Sequence, residues 1–575
     1  MLALFAFGLS TILVLLLIRL PLDGNYTFVV ILWLTALIAY AIAVIPVSQM
    51  KALAHLPRGP MVLMVSAIGA VALALRVWHL DTIPFSLAGD EASQGLEALR
   101  VINGSIRSPF VTGWASVPTM SFFLDSVSLR VFGATVSGLR LPWVLVGTLT
   151  VLVTSGFVTR LVGPRLGLLT AGLLAVYHFH IHFSRLGSVQ VADPLFVVLA
   201  LLFLYRALAC HRAFDWAMMG AATAASMYFY AGARLTGILV VAAIGYEAVH
   251  DRRRFWQTHR VGLVIACGAF LVAGAPMLQY ALRFPDEFNA RVNQVGIFQN
   301  GWIELAKQVT GRSVPELLLD QFRRAALAFN FYPDRTVWYG LRQPLLDPLF
   351  GSLFLLGLGY ATLRTLRPRG DRRLFPMVAW WWGAAILGGM LTESPPSSMR
   401  LVTLTVPVCF FIALAAFKLI GLTRRAISGV PVNALLLATF VVFAGISIKT
   451  YFVDYTPLRI YGGPRAEAAT IMAPTLRALS ATHHFYFVGA PFMGWNFATL
   501  LYLVPNAEVT DITGPITAAP SPALIPPEKG AVFIFVPERA AEMGFVQQTW
   551  QQGRVLELHS SMSGQLLALL YVVAP

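Results

Sequence analysis

The sequence predicts a polytopic α-helical membrane protein, with about thirteen transmembrane helices and a small C-terminal α/β domain outside the bilayer. Three observations carry that prediction. Of the 575 residues, 57% are hydrophobic and only 12% charged, and mean hydropathy is positive, a balance that ordinary soluble domains do not reach. Apolar runs long enough to cross a ~30 Å hydrocarbon core, which takes roughly 20 helical residues, recur up to residue 452. Beyond it the chain becomes more polar and its apolar residues fall into short runs.

In chain order the predicted spans are 1–18, 27–47, 60–80, 138–159, 166–183, 191–209, 214–231, 234–250, 261–281, 346–364, 374–391, 400–421 and 432–450. With the N-terminus inside, alternate loops carry Lys51 and Arg58, Arg160 and Arg165, Arg206 and Arg212, and the stretches HDRRRFWQTHR, RTLRPRGDRR and TRR. This is the positive-inside pattern of a multi-pass cell-membrane protein, and it places residues 81–137, 282–345 and the C-terminal region outside. The net charge of +15 is thereby explained by topology, and nucleic acid is not an expected partner. The first run lacks a basic leader and a small-residue cleavage site, so it reads as an uncleaved helix. Cys210, Cys267 and Cys409 lie in or beside apolar spans without CxxC or Cys/His spacing, so neither a disulfide nor a cysteine metal site is expected.

Within the first long loop, stretches 90–103 and 117–132 repeat apolar residues at helical spacing with Arg100, Arg107 and Arg130 interleaved, the pattern of helices lying in the interface. The second long loop is aromatic and basic, with FNFYPDRTVWYGLR near its end, and is expected at headgroup depth. From about Asp454 an amphipathic run, 464–479, precedes the short runs FYFVG, VFIFVP and LLALLYVV, which read as a small α/β domain. The divisions are therefore 1–59, two additional helices; 60–452, the main membrane module; and 453–575, the extracytoplasmic domain.

Charges near span ends cost ~2.5–3.5 kcal/mol when placed in hydrocarbon, and here they gather on the predicted outer face. Asp90 and Glu91 open the first long loop; Arg140 begins the next span; Arg185 and Asp193 lie in HFHIHFSRLGSVQVADPLF; Tyr228, Tyr230 and Arg234 in MYFYAGARLTG; Glu393 and Arg400 in LTESPPSSMRLVTLTVP. Arginines and carboxylates converging at a membrane face suit a lipid phosphate meeting a polar acceptor. Arginine neutralises a phosphate leaving group, and a carboxylate removes the acceptor's proton, work for Asp90 or Asp193. The bland alternatives are a first-turn acid on an interfacial helix for Asp90 and Glu91 and snorkelling for the arginines, with an Arg185–Asp193 pair a further option. His178, His180 and His182 read as polar groups at a helix end, so no metal site is assigned, and a divalent metal is left open as cofactor.

At these residues the sequence resembles the GT-C glycosyltransferases that use polyprenyl-phosphate sugars, and within them the protein O-mannosyltransferases and aminoarabinose transferases of family 39 type. GDEA in the first long loop, FGATVSGLRLPWVLVG, HFSRLGSVQVADP and YFYAGARL carry the likeness over roughly residues 70–250, with a looser match over 390–407. The resemblance implies Asp90 as the catalytic carboxylate with Glu91 and Asp193 assisting. It matches Arg140 to the arginine at the start of the following span and implies Arg234 and Arg400 as lipid-phosphate ligands; Arg140 and Arg185 are read as further candidates for the donor phosphate, and Tyr230, His182 and Glu393 as acceptor- or sugar-binding. The implied partners are a polyprenyl-phosphate-linked sugar, membrane lipids, and a glycan, lipid or protein acceptor. The implied activity is inverting hexosyl or pentosyl transfer. The rival reading is a multi-pass transporter or flippase of lipid-linked or polar solutes, which predicts two similar halves with helices broken at mid-membrane. A third, an anchored binding protein, leaves most of the spans without a purpose.

Overall fold

The computed structural model describes residues 1–46, 59–250, 252–367, 370–427, 429–524 and 529–575; the loop cations Lys51, Arg58 and Arg369 lie outside these. Each of the thirteen predicted segments is helical. Among the described residues, however, ten helices are long and apolar enough to cross a membrane, or eleven if the bent pair Pro164–Val176 and His178–Ser184 counts as one span. The shortfall lies in 214–231 and 374–391. Helix Ala213–Ala225 gives way to two 3-10 turns, Ser226–Tyr228 and Ala231–Arg234, which swing Tyr230 and Arg234 toward a common cavity. Helix Phe375–Ala384 widens into the π-helical turn Ala385–Met390, where a methyl on Gly389 would lie 2.6 Å from the Ala325 Cβ.

The pair Pro164–Val176 and His178–Ser184 meets at 61°. Such a break frees carbonyls, which an apolar surround leaves unsatisfied at several kcal/mol each. Arg76, fully buried, supplies the donors: Nη1 to the Ala175 carbonyl at 2.9 Å and Nη2 to Leu174 at 3.4 Å. Its Nη2 also donates to His180 Nδ1 at 2.7 Å, which fixes the His180 proton on Nε2, because arginine only donates.

Two amphipathic helices, Gly89–Ile102 and Met120–Phe132, form the first long loop. The second holds three, Pro285–Val295, Trp302–Thr310 and Val314–Ala326, the last started by a capping box between Ser313 and Glu316. The last long span, Val432–Ile448, passes through π- and 3-10-helical turns to Leu458 before the C-terminal helix Gly463–Leu479.

The three apolar runs expected as strands are strands. The five-stranded sheet comprises β1 (His483–Val488), β2 (Val509–Asp511), β3 (Gly530–Phe535), β4 (Arg554–His559) and β5 (Leu566–Val573), in the order β2-β1-β3-β5-β4. β1 pairs in parallel with β2 and β3, with Phe485 opposite Val509 and Val532, and β5 runs antiparallel to β3 and β4. β3 is buried along its whole length, as a strand covered on both faces must be.

One sheet face shares a core with the first long loop: Phe485, Val532 and Ile534 cluster with Met472 and Leu476 of the covering helix, and with Leu87, Ala92, Leu129 and Leu139. Polar staples reinforce it. The Leu87 N–H donates to Thr470 Oγ1 at 3.1 Å, its carbonyl accepts from Thr499 Oγ1 at 2.9 Å, and the Tyr502 hydroxyl donates to the Thr135 carbonyl at 3.2 Å. Gly95 lets these parts meet, since a Cβ there would lie 2.5 Å from the Tyr502 ring. Gly95→Ala is therefore expected to cost ~1–3 kcal/mol of stability through overpacking, read as a lower thermal unfolding temperature in detergent, although alanine is the better helix former.

Candidate active site

Asp90 and Glu91 both lie in the first turn of helix Gly89–Ile102, and successive helical residues point ~100° apart. Glu91 turns inward and is fully buried, whereas Asp90 faces solvent. The Glu91 carboxylate accepts from Arg140 Nε at 2.7 Å and Nη2 at 3.2 Å, from the Gly187 N–H at 2.8 Å and from the Tyr461 hydroxyl at 3.2 Å. Arg140 also donates to the carbonyls of Leu80, Pro84 and Ser86 at 3.0, 3.0 and 3.1 Å. All five guanidinium donors are thus occupied, and the side chain is inaccessible. Arg140 holds the loop entry and is not available to a donor phosphate.

Arg185 is likewise withdrawn. It is buried and donates to the carbonyls of Leu75, Arg76, Trp78, His79 and Ile83 at 2.6–3.1 Å, so it caps the C-terminal end of span Pro60–Val77 and does not pair with Asp193. His182 departs from its expected role too. Its Nε2 lies 2.7 Å from the Trp338 carbonyl, and its ring is enclosed by Tyr339, Tyr451, Tyr455 and Tyr461, which leaves no face for a sugar.

The remaining residues do converge. A cavity of about 350 Å³ is lined by Asp193, Tyr230, Arg234, Arg291 and Arg400, with Leu235, Ile238, Val292, Val295, Phe298, Leu387 and Leu391 forming an apolar wall. Arg234 donates to the Asn289 side chain at 3.0 Å and the Phe288 carbonyl at 2.6 Å, its guanidinium 3.6 Å above the Phe288 ring. Arg400 is braced by the Glu393 carbonyl and lies 3.6 Å from its carboxylate, so Glu393 flanks the cavity through Arg400. Arg291 bonds Gln294 at 2.8 Å; it faces Tyr230 and is also the cation acting on Asp90. Protein crowds the Asp90 carboxylate closely enough for desolvation to raise its pKa, with the Arg291 charge opposing that rise.

Sequence reasoning passed over Arg291, inside a loop marked only as basic, and Asp125. Asp125 is fully buried and accepts from Gln94 Nε2 at 2.8 Å. Burial pushes its carboxyl well above the usual range, so its position between the two loop helices disfavours the charged form. Among the described residues no group of three or more His, Cys, Asp or Glu is placed to hold a metal ion.

The fold is that of the GT-C membrane glycosyltransferases. Across 89% of this chain and 97% of the other, the structure is similar to that of ArnT from Cupriavidus metallidurans in the apo state, at TM-score 0.51 and 12% identity. The apo oligosaccharyltransferase of Archaeoglobus fulgidus aligns over 80% of this chain at TM-score 0.48 and 12% identity, and the chain spans 65% of that enzyme's length. The S. cerevisiae Pmt1-Pmt2 protein O-mannosyltransferase complex bound to the sugar donor aligns over 43% of this chain and 36% of that one, at TM-score 0.32 and 15% identity. Residues 116–280 match the family model described as dolichyl-phosphate-mannose-protein mannosyltransferase. No curated protein sequence matches it.

The two acids of the pair are expected to behave in opposite ways. Glu91→Gln and Arg140→Met each break a buried ion pair and should cost ~3–5 kcal/mol, whereas Asp90→Asn should change stability by no more than ~0.5 kcal/mol; thermal unfolding in detergent measures both. Asp125 gives a pH signature. Its folded-state pKa is raised, so the folded protein keeps a proton that the unfolded chain releases above about pH 4, and wild-type stability falls as pH rises toward the folded pKa. Asp125→Asn should therefore gain stability over wild type by up to ~1.4 kcal/mol per pH unit in that window, and a difference independent of pH would refute the raised pKa.

Proposed function

We propose that the protein transfers a sugar, with inversion, from a polyprenyl monophosphate to a hydroxyl of an acceptor on the extracytoplasmic side of the cell membrane. The observation that carries this reading is an amphipathic cavity lined by the three arginines Arg234, Arg291 and Arg400 beside an apolar wall, with the exposed Asp90 close enough to feel the charge of Arg291. The apolar wall suits a polyprenyl chain, and Arg234, Arg291 and Arg400 suit its phosphate. The GT-C fold and the family match over residues 116–280 support the donor class.

Asp90 accepts the acceptor's hydroxyl proton as the oxygen attacks the anomeric carbon. The new carbon–oxygen bond forms while the bond to phosphate oxygen breaks, and the electron pair leaves on the lipid phosphate, where the arginines neutralise it. Attack from the face opposite the phosphate inverts the anomeric centre. Glu91 acts by holding Asp90 and Arg140 in place, and Tyr230 and Glu393 border the donor. The acceptor is a hydroxyl of a glycan, a lipid or a protein.

The test is transfer from a panel of radiolabelled polyprenyl-phosphate sugars by the purified protein in lipid nanodiscs. Asp90→Asn should lower turnover by ~10²–10⁴-fold while donor binding persists; full activity in that variant, or a product of retained configuration, sinks the mechanism. Because desolvation by the surrounding protein raises the Asp90 pKa, the acidic limb of the rate profile should lie above the ordinary carboxylate value near 4, and Asp90→Asn should abolish it. Arg291→Gln should weaken donor binding by ~10–100-fold, and unchanged affinity would remove Arg291 from the phosphate site.

A further inference from the structure

Asp193 is the one carboxylate among the residues lining the cavity, and its surroundings are unusual. It is 4% exposed, and among the described residues its Oδ1 is buried without a hydrogen-bond partner. The three cavity arginines are engaged elsewhere: Arg234 with Phe288 and Asn289, Arg291 with Gln294, Arg400 with Glu393. Space has been kept for the carboxylate, since a Cβ at Gly232 would lie 2.3 Å from its Oδ2 and 3.2 Å from the Tyr230 ring. A buried acceptor left unpaired beside a cavity calls for a donor from whatever fills it.

The parts of the proposed donor differ sharply in what they offer. A polyprenyl chain has no polar hydrogen, and a phosphodiester carries acceptor oxygens and a negative charge that repels a carboxylate. Only the sugar, through a hydroxyl or a protonated amine, can donate to Oδ1. We infer that Asp193 reads the sugar of the donor, as a specificity-determining residue that favours a sugar bearing a hydrogen-bond donor at that point, and is not the base. The inference rests on the polyprenyl-phosphate reading of the cavity and goes beyond it by dividing the cavity between phosphate and sugar. Sites built around a buried polar group discriminate strongly against ligands that leave it unpaired.

The experiment measures binding by the full-length protein in nanodiscs of undecaprenyl phosphate alone and of undecaprenyl phosphate carrying a hexose, a pentose or an aminopentose. Wild type should bind its preferred glycosylated lipid at least ~10-fold more tightly than the sugarless one. Asp193→Ala should erase that preference while leaving the sugarless lipid's dissociation constant within about 3-fold, which also reports an intact fold. Asp193→Asn keeps an acceptor oxygen but no charge, so partial preference in this variant identifies a hydroxyl and complete loss identifies an ammonium; either supports the inference. A preference that survives Asp193→Ala, or an equal loss of both lipids, overturns it. Wild type binding neither lipid would overturn the donor reading itself, an outcome distinct from a loss confined to the sugar.

Discussion

The structure turns on the buried pair between Glu91 and Arg140. Four segments distant in sequence end on it: the first-loop helix, the span Val136–Val162, the turn at Gly187 and the entry to the C-terminal domain at Tyr461. Desolvating two ions costs several kcal/mol each, so such a pair is tolerable only when every remaining lone pair and proton is satisfied. Here the guanidinium has five acceptors and the carboxylate four donors. The consequence for Asp90 follows from helix geometry alone. With Glu91 locked inward, the preceding residue cannot turn into the core, and a carboxylate is held where solvent and Arg291 meet.

Two further buried arginines obey a related rule. Arg76 and Arg185 bond carbonyls at helix ends, Arg76 at the break after Val176 and Arg185 beyond Val77. The C-terminal end of a helix carries roughly half a negative charge, and a guanidinium set among several carbonyls gains both that field and hydrogen bonds for freed backbone groups. The helix break at Tyr177 is thereby sealed by a side chain. This break, of the kind a transporter uses to bind a solute, here serves packing.

This distinction explains what could be read from the sequence. Span positions were legible because length and hydropathy suffice, and the strands FYFVG, VFIFVP and LLALLYVV because apolar runs bounded by turn residues suffice. The segments 214–231 and 374–391 have the composition of spans, yet they break because close packing, such as Gly389 on Ala325, asks for a different helical pitch. The helices of the second long loop were missed although Ser313-x-x-Glu316 has the form of a capping box. Among the arginines, sequence shows a charge near a membrane face and no more. Whether carbonyls await it, as for Arg140 and Arg185, or a cavity, as for Arg234 and Arg400, depends on contacts across more than 50 residues. Arg291 was hidden for the same reason, and His182 drew attention by its spacing while its partners are aromatic rings.

The two sides of the candidate site also differ in how firmly they are held. The helix bearing Asp90 buries seven of its residues, including Glu91, Gln94 and Ala98, against the span and the C-terminal domain, whereas the helix bearing Arg291 buries only Phe288. Regions with few buried contacts open at lower free energy than the core. On the Arg291 side the cavity rim also carries Ile238, Phe298 and Leu387, which are 54%, 56% and 42% exposed and present apolar surface toward lipid. For the proposed reaction, a lightly held cationic wall with an apolar rim suits lateral entry of a lipid tail. The firmly packed helix Gly89–Ile102 correspondingly suits the role of base proposed for Asp90. The lightly packed side of the candidate site is thus the one that bears Arg291, and the firmly packed side is the one that bears Asp90.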